Sequence, residues 1–569
     1  MTPKAKQWKP TKAPDPELVL NLQQSIGIKK HLAYLMAQRG ITTYQEAEQY
    51  FNPSIEQLHD PFLMMDMAKA VNRIMQAIEA NESILFYGDY DVDGTTSVAL
   101  MMLFFGAFYP NIHFYVPDRK TEGYGISLKG IDFAADNGFS LVVALDCGIK
   151  AVDAMNYANE KELDFIICDH HNPGDELPNA HAVLDPKRID CIYPYKELSG
   201  CGVGFKLLQA LKVKKNEWPD PFQFIDLLAV SIASDIVPLT GENRVLAFEG
   251  LRKLNTKPSA GLATMMKHTG FNGPYTINDV VFKLGPRINA AGRLKHAQYA
   301  VELLIGQKGI ETEELSAQIN RINQDRRNIE RSITAECISM LSDLPTENKT
   351  VVLYDNDWHK GVIGIVASKI VEEVYKPAIV LTKTSDTYAT GSARSVEGFN
   401  LYEALVKCDS FLEQYGGHKA AAGMTIALDK IGEFKNAFEK AVTDLITPEQ
   451  QIPKLYYDVE LIPADISMSL YKTIHRLGPF GPDNHRPRFM LRNVHLRNAQ
   501  ALGSDLSHLR FTVFNGKQQI KGIAFGKGQF IEMASAGHKF DLCFCLEINE
   551  WQGNRSLQLD VKDLKLAEE

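Results

Sequence analysis

Between Ser83 and Asp185 the chain repeats one pattern: a short apolar run, an abrupt acidic or glycine-rich loop, then residues at helical spacing. Ile84-Leu-Phe-Tyr87 runs into Gly88-Asp-Tyr-Asp-Val-Asp-Gly94 and then the helical stretch Ser97–Phe108. Ile112–Val116 opens into a long polar loop that carries Arg119. Leu141-Val-Val-Ala-Leu145 stops at Asp146-Cys-Gly148, Phe165-Ile-Ile-Cys168 at Asp169-His-His171, and Ala182-Val-Leu184 at Asp185. Short apolar runs without alternation read as strands buried on both faces, and the helices between them supply parallel crossovers. The expected fold class is α/β with a parallel sheet. Every polar cluster falls where a strand ends, and in open α/β sheets that edge binds ligands.

The remainder divides by composition. Residues 1–60 read as a mobile basic tail followed by short helices, and 61–305 as the first α/β unit, with helices over 220–256 and a glycine- and proline-broken segment through Gly285–Arg293. Glu311–Leu341 has helical spacing without Gly or Pro, so 306–345 reads as a connecting helix. A second α/β unit is expected over 346–447, and Pro448–Pro453 marks a break. Residues 454–569 carry five or six short strand patterns, which suggest a small barrel. The 569 residues suit this division at about 150 residues per domain.

An apolar content of 45% is that of a chain with several buried cores, which excludes collagen-like and disordered classes. Basic and acidic residues, 61 against 70, leave a net charge of −9. That excludes a charge-driven nucleic-acid coat but not a local basic groove. The eight cysteines form no C-x-x-C pair, and several sit in apolar runs, as in Leu542-Cys-Phe-Cys-Leu546. They read as small buried hydrophobes in a reducing compartment. Lys4, Lys6, Lys9 and Lys12 precede no apolar segment, so a secretion signal is not expected. No run approaches the ~20 apolar residues of a membrane span. A soluble, cytoplasmic protein is expected.

Asp89, Asp91 and Asp93 are spaced i, i+2, i+4. In an extended segment their carboxylates share one face, neighbours about 7 Å apart. Such repulsion at the end of a buried strand is relieved by a divalent cation. A solvated acidic turn remains the alternative for the triplet alone. Asp146 and Asp169-His170-His171 close neighbouring strands, and Asp235 ends the apolar helix Ala229-Val-Ser-Ile-Ala-Ser-Asp235. A helix-terminal hydrogen bond or a solvent-facing turn is the alternative for Asp235. Together Asp91, Asp93, Asp146, His170 and Asp235 suit two hard cations bridged by a carboxylate. Imidazole among the oxygens shifts the choice from Mg²⁺ toward Mn²⁺.

The ordered motifs Gly-Asp-Tyr-Asp-Val-Asp-Gly, Leu-Asp-Cys-Gly and Asp-His-His resemble the DHH phosphoesterase superfamily, and within it the 5′→3′ exonucleases of single-stranded DNA. Further matching segments are Ser199–Phe205, Ala233–Pro238, Gly285–Arg293, Trp358–Gly364, Gly391–Ser395, Gly416–Gly423 and Leu477–Gly481. Pro482-Asp-Asn-His-Arg-Pro487 departs from the usual glycine-asparagine-proline wording before the barrel. The resemblance implies a DHH catalytic domain, a linker helix, a DHHA1 substrate-binding domain and a C-terminal OB-like barrel. It implies that Asp91 and Asp93 each hold one metal, that Asp146 bridges, and that His170 and Asp235 complete the second site. His171 would face the scissile phosphate, and Asp89 would be a further ligand or a second-shell base. Two Mn²⁺ or Mg²⁺ ions would then activate water without a covalent nucleophile. The implied role is DNA recombination and repair, with a single-strand-binding protein and a RecQ-type helicase as partners.

The stretch 283–299 contains Lys283, Arg287, Asn289, Arg293 and Lys295 but no acid, which suits phosphate contacts. Arg321, Arg326, Arg327 and Arg331 follow on the linker, where pairing with Asp325 and Glu330 is the competing reading. By resemblance, Arg119, Ser392 and Arg394 form a 5′-phosphate pocket. Small residues in Gly416–Gly423 would admit a phosphate beside His418 and Lys419; tight helix packing is the alternative. Phe511, Phe514, Phe525 and Trp551 could stack bases, but most of them are expected to fill the barrel core. A phosphatase of short oligonucleotides or phosphonucleotides from the same superfamily, and a non-catalytic strand-binding scaffold, are the rival functions. No G-x-x-x-x-G-K-[ST] occurs, which disfavours a nucleotide-driven motor.

Overall fold

The five apolar runs pair into one parallel sheet, in the spatial order Ile112–Tyr115, Ile84–Gly88, Leu141–Leu145, Asp164–Cys168, Ala182–Leu184. The computed structural model that shows this describes residues 5–567, apart from Gln552 and the side chain of Trp551. Alternate residues of the central strands enter two separate cores. Phe86, Val143 and Leu145 pack with Val98, Phe205 and Leu228, while Leu85, Tyr87 and Val142 pack with Ile131, Met155 and Ala158. Helices therefore cover both faces, as the lack of alternation required. In strand number the order is 2-1-3-4-5, so the connection reverses between the first and third strands. Gly88 lies opposite Leu145, so Asp89 and Asp146 leave the sheet side by side at that switch point.

A 32-residue helix, Ile310–Leu341, leads to the second α/β unit. There Val351–Asp355 and Ala378–Lys383 run parallel, followed by antiparallel Tyr388–Arg394, Ala421–Ala427 and Leu412–Gly417. The C-terminal region forms a seven-stranded sheet rather than five or six strands. The extra pairing includes Arg497–Leu502, a polar strand with little apolar signal.

Two expectations need correction. Gln7–Pro10 is no mobile tail: it pairs in parallel with Lys454–Tyr457, and Trp8 Nε1 donates to Asp563 Oδ2 at 2.7 Å. Gly285–Leu294 is a continuous helix, not a broken segment. Its proline follows directly on the π-helical turn Val280–Leu284, where Gly285 N donates back to the Val280 carbonyl, so the helical run continues past it. The junction before the C-terminal sheet is held from both sides. Arg39 Nε donates to Asn484 Oδ1 (2.9 Å), Arg244 Nη2 to the Gly478 carbonyl (2.8 Å), and Leu239 N to the Pro482 carbonyl (2.8 Å). All eight cysteines are buried and unpaired. Among the described residues, no helix is long and apolar enough to cross a membrane.

Candidate metal centre and nucleic-acid interface

Asp91 caps the helix Val92–Phe105, accepting from Asp93 N (2.8 Å) and Gly94 N (3.2 Å) on Oδ1. The triplet is thus not an extended row with three carboxylates on one face. The chain turns into a helix after Asp91 and carries Asp93 into its first turn. A Cβ at Gly94 would lie 2.3 Å from the Asp89 carbonyl oxygen, so the tight turn requires glycine. Asp93 receives Gly200 N (2.7 Å), Cys201 N (2.8 Å) and Ser231 Oγ (2.7 Å). The N-terminus of helix Gly200–Lys214 therefore grips this carboxylate. A Cβ on Gly200 would stand 2.6 Å from Asp146 Cβ, which explains the small residue there.

Asp146, at φ 60, points into the same space from the third strand. His170 Nε2 lies 3.2 Å from Asp146 Oδ1, 3.5 Å from Asp235 Oδ2 and 3.8 Å from Asp93 Oδ2. Ligand atoms of Asp89, Asp91 and Asp146 gather within 4.8 Å of one another, as do those of Asp93, His170 and Asp235. Asp89 Oδ1, Asp146 Oδ1 and both ring nitrogens of His170 are buried without hydrogen-bond partners. Unpartnered acceptors are costly, and several converging on one point fit divalent cations with mixed oxygen and imidazole ligands.

Electrostatics agree. Burial, then neighbouring carboxylates, pushes Asp89, Asp91 and Asp146 above the usual carboxyl range and Asp235 up to about 8. Burial also lowers His170, leaving its neutral, ligating form favoured. His171 behaves oppositely. Burial alone would lower it, but the Asp169 carboxylate, 2.7 Å from Nδ1, prevails and raises it. Asp169 also receives the N–H groups of Ile149, His170 and His171, so it fixes the loop. Tyr124 Oη sits 3.3 Å from the His171 ring and 3.3 Å from the Asp146 carbonyl. The sequence reading gave no role to Asp169, Ser231 or Tyr124. Asp169 stood inside a quoted motif, Ser231 in the helix that ends at Asp235, and Tyr124 in the loop of Arg119.

A cavity of about 350 Å³ opens between the two α/β units, lined by Arg119, Lys120, Arg293, Lys360, Ser392 and Arg394 and by no carboxylate. Arg394 Nη1 donates to Ser392 Oγ (2.9 Å), Arg293 Nη1 to the Gly361 carbonyl (3.2 Å), and the Arg119 guanidinium stands 5.0 Å from the Tyr90 ring centre. Burial and the positive charge of Arg119, Arg326 and Arg394 push Arg293 down to about 10. Such uncompensated positive potential suits a phosphate.

Other expected contacts lie elsewhere. Arg287 is not brought to this cavity; its three guanidinium nitrogens bond the Lys283 and His268 carbonyls and Asn320 Oδ1. Asn289 is half-buried on the same helix. His418 and Lys419 are exposed at the turn of a β-hairpin, and the helix Leu401–Val406 packs against it, its Leu401 N donating to the Lys419 carbonyl (3.0 Å). On the linker, Arg326 pairs with Glu330 at 2.9 Å, while Arg321, Arg327 and Arg331 are exposed. Phe511 is core, Phe514 and Phe525 are exposed, and the Trp551 side chain lies outside the described residues.

Residues 83–232 match the DHH family N-terminal domain, 347–444 the DHHA1 domain and 457–563 the RecJ OB domain. The chain is 37% identical to the single-stranded-DNA-specific exonuclease RecJ of Bacillus subtilis, over 98% of this chain and 70% of that protein. It is 32% identical to the RecJ of Dickeya dadantii, over 94% and 95%. The crystal structure of Thermus thermophilus RecJ in complex with Mn²⁺ superposes with a TM-score of 0.85 at 26% identity, covering 99% of this chain and 80% of that one. With such identity sustained across three domains in the same order, the chain belongs to the RecJ family.

Proposed function

We propose that this chain is a metal-dependent 5′→3′ exonuclease that hydrolyses phosphodiester bonds of single-stranded DNA. The observation that carries the reading is the juxtaposition of a buried, unpartnered carboxylate–imidazole cluster with an arginine cavity free of acids. Asp91, Asp93, Asp146, His170 and Asp235 would hold two Mn²⁺ or Mg²⁺ ions, with Asp146 placed between the two groups of ligands. Asp89 serves as a further ligand or second-shell base. Such ions would supply Lewis-acid chemistry there: charge neutralisation at the phosphate and a more acidic water.

The chain's own groups do the rest. Asp169 orients the His171 ring and favours its protonated form, which donates to the scissile phosphate. Arg119, Arg293, Ser392 and Arg394 hold the terminal 5′-phosphate and so set the polarity. His418 and Lys419 extend the path along the second unit, and Arg287 ties its own helix to the linker helix at Asn320. Resection from a 5′ end places the protein in recombination and repair in the cytoplasm, beside a single-strand-binding protein and a RecQ-type helicase.

The test uses 3′-fluorescent single-stranded oligomers, with and without a blocked 5′ end, in Mn²⁺, Mg²⁺ or EDTA. A metal-dependent ladder that stops at the block is expected. Absence of digestion with tight binding retained would favour a scaffold, and digestion of only very short oligomers a phosphatase.

A further inference from the structure

The cavity between the two α/β units holds more positive charge than one terminal phosphate needs. Its wall carries five cations, Arg119, Lys120, Arg293, Lys360 and Arg394, and no carboxylate. A terminal monophosphate brings about two negative charges at most. Space shows the same surplus. At about 30 Å³ per water, a cavity of about 350 Å³ admits on the order of ten waters, whereas one phosphate displaces only a few.

The wall divides into two parts. Ser392, Arg394 and the start of helix Ile363–Val374 lie together: a Cβ on Gly364 would stand 3.0 Å from both Ser392 Oγ and Arg394 Nη2. No side chain caps that helix, and Ile363 and Gly364 line the cavity, so its positive end adds to the arginines there. Arg293 joins this half-buried part through the Gly361 carbonyl. Lys120 and Lys360 make up the other part. Both are exposed, and neither pairs with a carboxylate among the described residues. They arrive from opposite domains, Lys120 on the loop after strand Ile112–Tyr115 and Lys360 on the turn before helix Ile363–Val374. Lys120 N donates to Asp118 Oδ1 (2.9 Å) and Gly361 N to His359 Nδ1 (3.1 Å), so both backbones are held. Burial lowers the His359 imidazole, and the charges of Lys120 and Lys360 lower it further, so the two lysines flank one ring.

We infer that Lys120 and Lys360 form a second anion subsite, which takes the phosphates beyond the first on a strand that begins with a 5′-polyphosphate. The inference rests on the exonuclease reading and extends its substrates to single strands with a 5′-triphosphate. Such ends arise wherever a polymerase starts a strand directly from a nucleoside triphosphate. The arginines, Ser392 and the helix end hold the α-phosphate. The lysines, flexible point charges without a rigid fork, meet the β- and γ-phosphates. Cleavage leaves the anhydride bonds intact. The oxygen of water joins the phosphorus of the second nucleotide, and the 3′ oxygen of the first leaves with a proton. The products are a nucleoside 5′-triphosphate and a strand that begins with a monophosphate, so the lysines act in the first cycle only.

The experiment uses three 3′-fluorescent DNA oligomers of one sequence that begin with a 5′-hydroxyl, a 5′-monophosphate or a 5′-triphosphate. In EDTA, the triphosphate is expected to bind about tenfold more tightly than the monophosphate, the scale of two exposed ion contacts. The double variant K120A/K360A is expected to bring that ratio close to one. Both side chains are exposed, so folding is retained, which circular dichroism checks. With Mn²⁺, a single turnover of the triphosphorylated oligomer is expected to release an intact nucleoside triphosphate, identified by anion-exchange chromatography. Equal or weaker wild-type binding of the triphosphate, an unchanged ratio in the double variant, or release of pyrophosphate in place of the nucleoside triphosphate would overturn the subsite. No cleavage of the monophosphorylated oligomer in Mn²⁺ would instead remove the exonuclease reading, and the subsite with it.

Discussion

At the carboxyl edge of the first sheet, Asp89, Asp91, Asp93, Asp146 and Asp235 crowd negative charge around one imidazole. Next to them, across Tyr90, Arg119, Arg293 and Arg394 crowd positive charge around a cavity with no acid in its wall. Both arrangements cost folding energy that each could recover by pairing with the other. They stay apart because each is held by its own scaffold. Backbone N–H groups of Gly200 and Cys201 grip Asp93, while the Gly361 carbonyl and Ser392 Oγ hold Arg293 and Arg394. Uncompensated charge of both signs, kept separate by rigid elements, is how a site binds a cation and an anion together. The two also differ in construction. The acidic centre belongs to one domain and to the register of one sheet; the basic cavity exists only where two domains meet.

The largest expected effect breaks the acidic side. Asp146→Ala should reduce hydrolysis by at least about 10³-fold, beyond the loss of a single electrostatic donor. Asp146 Oδ1 makes no hydrogen bond, so the variant should keep its circular dichroism spectrum. Retained turnover would remove Asp146 from the centre. Arg394→Ala should act on the other side, lowering kcat/KM for 5′-phosphorylated strands by about 10- to 100-fold, the range of a charge-assisted hydrogen bond. Its rate on 5′-hydroxyl strands should change little. Equal losses on both substrates would mean that the cavity serves the chemistry and not the strand end.

The same contrast governs what could be read from the sequence. The acidic centre was legible because its ligands sit in short motifs at strand ends, and strand ends are local signals. The row imagined for Asp89, Asp91 and Asp93 was not, because alternation describes a strand, while the N-cap at Asp91 turns the chain into a helix. Glycine and proline in Gly285–Arg293 suggested a break, although the π-helical turn Val280–Leu284 carries the helix past Pro286. Arg287 looked like a phosphate ligand because it has no acid nearby in sequence; backbone carbonyls satisfied it instead. Gln7–Pro10 pairs with Lys454–Tyr457 across nearly the whole chain, and no local pattern announces such a contact. In the arginine cavity, Arg293 was read from its acid-free stretch, whereas Arg119, Ser392 and Arg394 came from resemblance, since no spacing predicts which residues two domains bring together.

A smaller effect separates the two regions by pH. The raised carboxyl groups of Asp89, Asp146 and Asp235 hold protons in the folded, metal-free protein that the unfolded chain releases above about pH 4. Stability of the metal-free protein should therefore fall as pH rises from about 4 toward about 8, the value for Asp235. Mn²⁺ should flatten or reverse that slope, because the cation takes the place of the protons. Arg293, displaced downward only to about 10, stays charged throughout this window and contributes nothing to it. Thermal midpoints at pH 5 and pH 8, in EDTA and then in Mn²⁺, test the assignment. A flat profile in EDTA would show that the carboxylates are not crowded in solution.

The smallest effect tests how far the basic side extends. Lys419 is exposed at a hairpin turn in the second unit and has no carboxylate within 4.0 Å among the described residues. At such a site a single phosphate contact is worth only about 1 kcal/mol in water. It is still countable, because each neutralised phosphate on a single strand changes the slope of log K against log salt by about 0.7. Lys419→Ala should reduce that slope by this amount for oligomers long enough to reach the hairpin and leave it unchanged for shorter ones. The length at which the effect appears would measure the path from the arginine cavity to the hairpin. An unchanged slope at every length would confine the basic side to the cavity between the domains.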